Sequence, residues 1–138
     1  MILLDTNVVS EWMRPSPNQR VLRWTDAQAT ETLFLSSVSV AELEFGIGVL
    51  PQGRRRDALS LQLQEILAHF SGRVLAFDLG AAHHYTQLAL IARNNGGGFP
   101  LPDAYIAAIA AANGLTVATR DTGPFTVAGT TVINPWLA

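Results

Sequence analysis

Four carboxylates, Asp5, Glu42, Asp103 and Asp121, lie far apart in a chain of 138 residues, yet each falls beside the end of an expected strand or at the head of an expected helix. Asp5 closes the apolar run Ile2–Leu4 and leads into Thr6-Asn7, residue types that cap helices and make turns. Glu42 falls in the first turns of a helix that follows a second apolar run. Its neighbour Glu44 points about 200° away around a helix of 3.6 residues per turn, so the two cannot face one site. Asp103 sits just after Pro102, a favoured first-turn residue, and Asp121 comes where the run Leu115–Thr119 gives out. If these acids share a crevice, they cannot all stay ionised without cations, because like charges raise one another's pKa. Mg²⁺ or Mn²⁺ resolves this, taking oxygen ligands from a few carboxylates and keeping waters for a phosphate substrate. Two such ions about 3.5 to 4 Å apart would clamp an in-line displacement at phosphorus. The chemistry implied is metal-dependent phosphodiester hydrolysis. The alternative, in which the acids are only caps and surface charges, stays open on spacing alone.

The elements that must position these acids alternate in type. Strands are expected at Ile2–Leu4, Thr32–Ser36, Arg73–Phe77, Leu115–Thr119 and Thr130–Ile133. Helices are expected at Val8–Arg14, Asn18–Ala29, Ser37–Val49, Arg54–Phe70, Leu79–Asn94 and from Pro102 to the Asn113-Gly114 stop. Their inner faces read as Val21, Leu22, Trp24 and Thr25; as Val40, Ala41, Leu43 and Ile47; as Leu59, Leu63, Ile66, Leu67 and Phe70; and as Ala82, Tyr85, Leu88, Ala89 and Ala92. Gly123-Pro124 reads as a turn. This order predicts an α/β fold, one α/β/α domain over residues 1–138 with a mostly parallel central sheet of four to five strands flanked by helices. In such a sheet ligands bind at the carboxyl ends of the strands, where Asp5 and Asp121 are expected.

Composition removes several classes of chemistry. With no cysteine there are no disulfides, thiolate metal sites or cysteine nucleophiles. All nine basic residues are Arg, so a Lys Schiff base and a P-loop Lys are excluded. Net charge is −2, yet setting the four candidate acids aside leaves seven acids against nine Arg, a net +2 for the rest of the chain. The loop Asn94–Gly98 follows a helix and lacks a phosphate-loop pattern, so flexibility is expected there. Adjacent His83 and His84 lie about 100° apart on a helix and cannot make an i, i+4 zinc pair. Arg54–Arg56 reads as a solvated face. Trp12 and Met13 read as core packing, with an exposed partner patch as the alternative. No apolar run approaches the ~18 residues of a membrane span, and the N-terminus lacks a basic leader, so a soluble cytoplasmic protein is expected.

The stretches LLDTNVVSE, LSSVSVAELEFGI, PDAYIAAIAAANGLTVATRD and the closing INPW resemble the PIN-domain ribonucleases, most closely the VapC-type toxins of bacterial toxin–antitoxin pairs in their FitB-like branch. The match runs in order along essentially the whole chain. The resemblance implies a Mg²⁺- or Mn²⁺-dependent endoribonuclease, homodimerisation, and inhibition by a cognate antitoxin through which operator DNA is bound. It places Asp5, Glu42 and Asp103 on the acidic metal site and Asp121 on the acid of the strand-end motif, with Asn7 near the metal and Thr119 as the small hydroxyl residue two before that acid. One departure stands out. Many relatives read T-R-N-x-x-D-F, with the acid just before the Phe, where this chain has Pro124 before Phe125 and an acid at 121. In the family the antitoxin tail packs across the early helices, which would give Trp12 and Met13 a partner.

Three other readings compete. An Asp-nucleophile phosphatase also begins with a strand ending in Asp, but it needs a second Asp two residues on and a later Lys; here position 7 is Asn and Lys is absent. A DNA-directed nuclease is chemically open, since water as nucleophile does not need the 2′-OH. A catalytically silent module of the same fold would fail to bind Mn²⁺.

Overall fold

The first strand, β1 (Ile2–Leu4), is short, and its two fully buried residues point to opposite sides of the sheet, as alternation in a strand requires. Leu4 joins a core with Val8, Val9, Val21, Leu35 and Leu63, whereas Leu3 joins one with Ile106, Ile109, Val117 and Phe125. A sheet with a core on each face must be covered by helices on both, and that sets the layering. The computed structural model describes residues 1–138. After β1 come α1 (Thr6–Trp12), α2 (Gln19–Asp26), a short 3₁₀ turn at Thr30–Thr32, β2 (Leu33–Ser36), α3 (Ser37–Gly48), α4 (Arg54–His69) and β3 (Val74–Leu75). Then follow α5 (Leu79–Asn94), α6 (Leu101–Ala112), β4 (Thr116–Ala118), α7 (Gly123–Val127) and β5 (Val132–Ile133).

The strand order is β3-β2-β1-β4-β5, and every pair is parallel. The expectation of a mostly parallel sheet is met by one that is wholly parallel. From β1 the chain steps outward through β2 to β3, then returns to add β4 on the other side of β1. The order reverses between β1 and β4, and their carboxyl ends flank the crevice that such a reversal opens.

Helix α6 shows how sequence sets this arrangement. Ala104 and Ile106–Ala110 are all buried; the small Ala side chains let the helix lie close on the sheet while Ile106 and Ile109 fill the space, each worth about 1.5 to 3 kcal/mol of burial. The Ala-rich helix is thus spent inside the protomer. It ends in a Schellman motif: Gly114 takes φ +66°, its N–H reaches Ala111 O at 3.3 Å, and Leu115 N–H reaches Ala110 O at 2.9 Å. Gly96 closes α5 in the same way, at φ +74°. Asn95 Nδ2 then bonds Val127 O at 3.0 Å, and a Cβ on Gly97 would meet Val127 Cγ1 at 2.5 Å. Asn95 to Gly97 thus carry a built helix stop, with Gly97 lying close against Val127.

Other expectations need correction. β3 pairs only at Val74 and Leu75, because its partner β2 offers only Leu35 and Ser36 for pairing before turning into α3. Gly123-Pro124 opens the short helix α7; Pro suits a first helical turn as well as a bend. On α3 the buried face is Ser39, Leu43 and Ile47, an i, i+4, i+8 stripe, and Ala41 is exposed. On α5 the expected face holds: Ala92 is buried, Tyr85 and Leu88 pack against the core, and Ala82 and Ala89 are half-buried, with Ala81 buried beside them. The α4 stripe holds: Leu63 and Phe70 are buried, with Leu59, Ile66 and Leu67 packed against them. Trp12 stacks on Phe70 at 6.4 Å and donates its indole N–H to Thr25 Oγ1 at 3.1 Å, which makes it a packing residue. His83 is exposed and His84 half-buried; Arg54 and Arg55 are exposed.

Candidate active site

Asp5 leaves the end of β1 and caps α1. Its backbone N–H is still in register with β4, donating to Ala118 O at 2.9 Å, while its Oδ1 accepts the Thr6 N–H at 2.7 Å. Its Oδ2 accepts the hydroxyl proton of Thr119 at 2.7 Å. Thr119 is fully buried at the end of β4, and its oxygen also accepts from Asn7 Nδ2 at 3.2 Å and from the Asp121 N–H at 3.1 Å. Asn7 Oδ1 receives the Arg120 N–H at 3.3 Å. One hydroxyl thus ties the two central strand ends together and fixes Asp5, Asn7 and the Asp121 main chain.

Glu42 comes from the second turn of α3, whose first turn is capped by Ser36 Oγ accepting the Ser39 N–H at 3.0 Å. Glu42 is exposed, and its Oε1 accepts the Thr6 hydroxyl at 2.7 Å; the same hydroxyl lies 2.9 Å from Ser39 Oγ. Asp103 enters from the first turn of α6, where a carboxylate also suits the helix dipole. These four acids meet in one hollow of about 320 Å³, lined by Asp5, Thr6, Asn7, Ser10, Glu42, Asp103 and Asp121, with no hydrophobic residue in its wall. Glu44 turns instead to a separate groove beside Arg56.

The structure brings the four expected acids and Asn7 to this one hollow, with Thr119 buried behind it and bonded to Asp5 and Asn7. Sequence reasoning missed Thr6 and Ser10, which lie at i, i+4 on α1. Starting that helix at Val8 hid the pairing; reading Asp5 as the N-cap would have shown it. Glu11, also acidic, is buried elsewhere, accepting the Asn18 N–H at 2.9 Å and pairing with Arg14 at 3.3 Å.

The electrostatics follow from the crowding. Burial pushes the Asp103 carboxyl up to about 6, helped by the charges of Asp5, Asp121 and Glu42. Burial also raises Asp5, with further upward pushes from Glu42 and Asp121, against the hydrogen bonds from Thr119 and Thr6 that favour its ionised form. The side chains line the hollow without closing on one point: no three acidic or imidazole groups gather around a single ion's position. The donor set is nonetheless all oxygen, with neither thiolate nor imidazole, and its mutual repulsion is what a cation relieves. Those two features fit a hard divalent ion.

The chain is similar along its whole length to known proteins. The PIN domain family profile matches residues 2–129. The plasmid stability protein StbB of Pseudomonas syringae pv. tomato is 55% identical over 100% of both chains. The VapC ribonuclease Y4jK of Sinorhizobium fredii is 50% identical over 99% of this chain and 98% of its own, and Toxin FitB of Neisseria gonorrhoeae 47% identical over 99% of each. Among solved structures, FitAB bound to the IR36 DNA fragment contains a chain that superimposes with a TM-score of 0.94 at 44% identity, covering 99% of this chain and 96% of that one.

Proposed function

The chain belongs to the PIN domain family, and from that premise we propose that it is the toxin of a bacterial toxin–antitoxin pair, an endoribonuclease that hydrolyses RNA phosphodiester bonds at the four-acid hollow with Mg²⁺ or Mn²⁺. The observation that carries this reading is the convergence of Asp5, Glu42, Asp103 and Asp121 on one all-oxygen hollow at the reversal point of the sheet. The likeness to proteins named VapC ribonuclease and Toxin FitB supports it.

In this reading Asp5, Glu42, Asp103 and Asp121, which line the hollow, would hold the ion. Bound there, Mg²⁺ or Mn²⁺ would supply positive charge to acidify water and offset charge on the phosphate. The chain's own residues do the rest. Asp5, fixed by two hydrogen bonds, cannot rotate away from the hollow. Asp121 takes the part that many relatives give to an acid just before the Phe, because its main chain is anchored to Thr119 while Pro124 is used to start α7. Glu42 keeps Oε2 free while Thr6 holds Oε1. Asn7 and Thr119 position rather than ligate.

The partner surface lies next to the hollow. A groove of about 580 Å³ shares Thr6, Ser10 and Glu42 with it and runs between α1, α3 and α4 past Met13, Leu43, Ile47 and Leu59. An apolar trough opening on an acidic hole suits an antitoxin segment that lays down apolar side chains and ends in a cation. Met13, not Trp12, lines it. Operator DNA is reached through that antitoxin. The proposed homodimer would use the exposed Leu79, Leu90 and Ile91 of α5 with Leu101 of α6. No helix is long and apolar enough to cross a membrane; the proposed cytoplasmic location follows from the RNA substrate.

The test is incubation of the purified, antitoxin-free protein with transfer and total RNA. Discrete cuts in Mg²⁺ or Mn²⁺ that vanish in EDTA are expected. Equal cutting of single-stranded DNA moves the substrate class, and a folded protein that cuts neither defeats the proposal.

A further inference from the structure

Arg120 is a cation set between two residues of the acidic site, Thr119 and Asp121. Its main chain is pinned on both sides. The N–H donates to Asn7 at 3.3 Å, and the carbonyl accepts from Asn134 Nδ2 at 3.5 Å. Asn134 Oδ1 also takes the Trp136 N–H at 2.9 Å, so the closing turn is folded together with the end of β4. The Arg120 guanidinium lies over the Trp136 ring, 5.4 Å from its centroid, and Trp136 is itself packed against the core. Such a stack limits where the cation can go.

With Asp121 next in sequence and three further acids in the hollow, Arg120 makes no ion pair; the only pair in the chain is Arg14 with Glu11. Nor does it line the hollow. Its main chain borders the hollow through Asn7 and Asp121, and its side chain, stacked on Trp136, belongs to an exposed residue. A phosphodiester chain crossing four carboxylates is repelled at every phosphate the bound ion does not cover, so a neighbouring phosphate needs a cation beside the hollow. The geometry points to Arg120 as a substrate-positioning residue, its guanidinium holding a backbone phosphate of single-stranded RNA next to the one that is cut. This rests on the ribonuclease reading above and adds the residue that sets the strand's path. Arg suits the task where Lys would not, because the fork matches a phosphate and the plane lies on an indole.

Three proteins test this: wild type; Arg120→Gln, which keeps an apolar stem on Trp136 and removes the charge; and Arg120→Lys, which keeps the charge and loses the fork. Cleavage of a labelled single-stranded oligoribonucleotide is followed in Mn²⁺, and binding of the same oligonucleotide by anisotropy in EDTA, both from about 50 to 200 mM salt. Arg120→Gln is expected to raise KM about tenfold with kcat within twofold of wild type. The slope of log affinity against log salt should become shallower by about 0.7, the share of one single-strand phosphate. Arg120→Lys should restore the slope and part of the KM. Wild-type KM and slope in Arg120→Gln overturn the inference while leaving the ribonuclease standing. Equal losses in Gln and Lys that track a fall in melting temperature also overturn it, since they mark a structural role. A wild type that neither cleaves nor binds RNA defeats the ribonuclease reading and this inference together.

Discussion

Asp5→Asn is expected to cut the rate of RNA cleavage by about a hundred- to a thousandfold, the scale seen when one preorganised electrostatic contact is lost from a reacting centre. The shape of the side chain is kept, so the loss must come from charge and hydrogen-bond polarity. Asp5 is 4% exposed and supplies two acceptors, one to the Thr6 N–H and one to the Thr119 hydroxyl. Asn can keep the first, but its Nδ2 would then face a Thr119 oxygen that already accepts from Asn7 and from the Asp121 N–H. Three donors would converge on one hydroxyl, and Asn7 and Asp121 would be pushed from their places. A circular dichroism melt of the variant checks that the fold survives. Cleavage within tenfold of wild type, from a folded variant, would show that Asp5 is not part of the working site.

Thr119→Val is the second large effect. Val fills the same volume, so no cavity forms, but three groups lose their partner at once: the Asp5 carboxylate, the Asn7 amide and the Asp121 N–H. An unpartnered buried polar group costs about 1 to 3 kcal/mol. Because Asn7 and Asp121 can turn to water, a total near 3 kcal/mol is expected, which lowers the melting temperature by roughly 10 °C for a domain of this size. Cleavage should fall about ten- to a hundredfold, the usual range for a residue that orients ligands. Thr119→Ser should recover most of both. A Val variant that melts and cuts like wild type would mean the hydroxyl does not organise the site.

The sequence carried the acids because each stands at a boundary that local chemistry marks. Asp103 follows Pro102 at the head of a helix; Asp5 and Asp121 follow apolar runs that can only be strand ends. Helices with glycine or Asn-Gly stops came out closely: α5 was expected at Leu79–Asn94 and is found there, because Asp78 caps it through the Ala81 N–H at 2.9 Å and Gly96 ends it. What was not legible depends on contacts between distant segments. β3 is short because its partner strand runs out, which no pattern within Arg73–Phe77 records. Gly123-Pro124 reads as a turn in sequence, and packing of Phe125 into the core goes with a short helix instead. The inward turn of Ser39, which places a hydroxyl beside Thr6, depends on α1 and α3 lying side by side. Thr119 was found by resemblance; its bonds to Asp5, Asn7 and the Asp121 N–H appear only once β1 and β4 are side by side.

The central claim is that the four-acid hollow is a divalent-metal site, and a calorimetric titration of the antitoxin-free protein with Mn²⁺ tests it most directly. Run at pH 6 and pH 8, each in two buffers of different ionisation enthalpy, the titration reports both binding and protons released. Asp103, raised to about 6, is near half-protonated at pH 6 and ionised at pH 8, and Asp5 is raised in the same sense. Metal needs both deprotonated. The account predicts saturable binding that releases about half a proton or more at pH 6 and markedly less at pH 8, and that is lost in Asp5→Asn. A folded wild type that takes up no Mn²⁺ at millimolar concentration, or binds it equally well without Asp5, would contradict it.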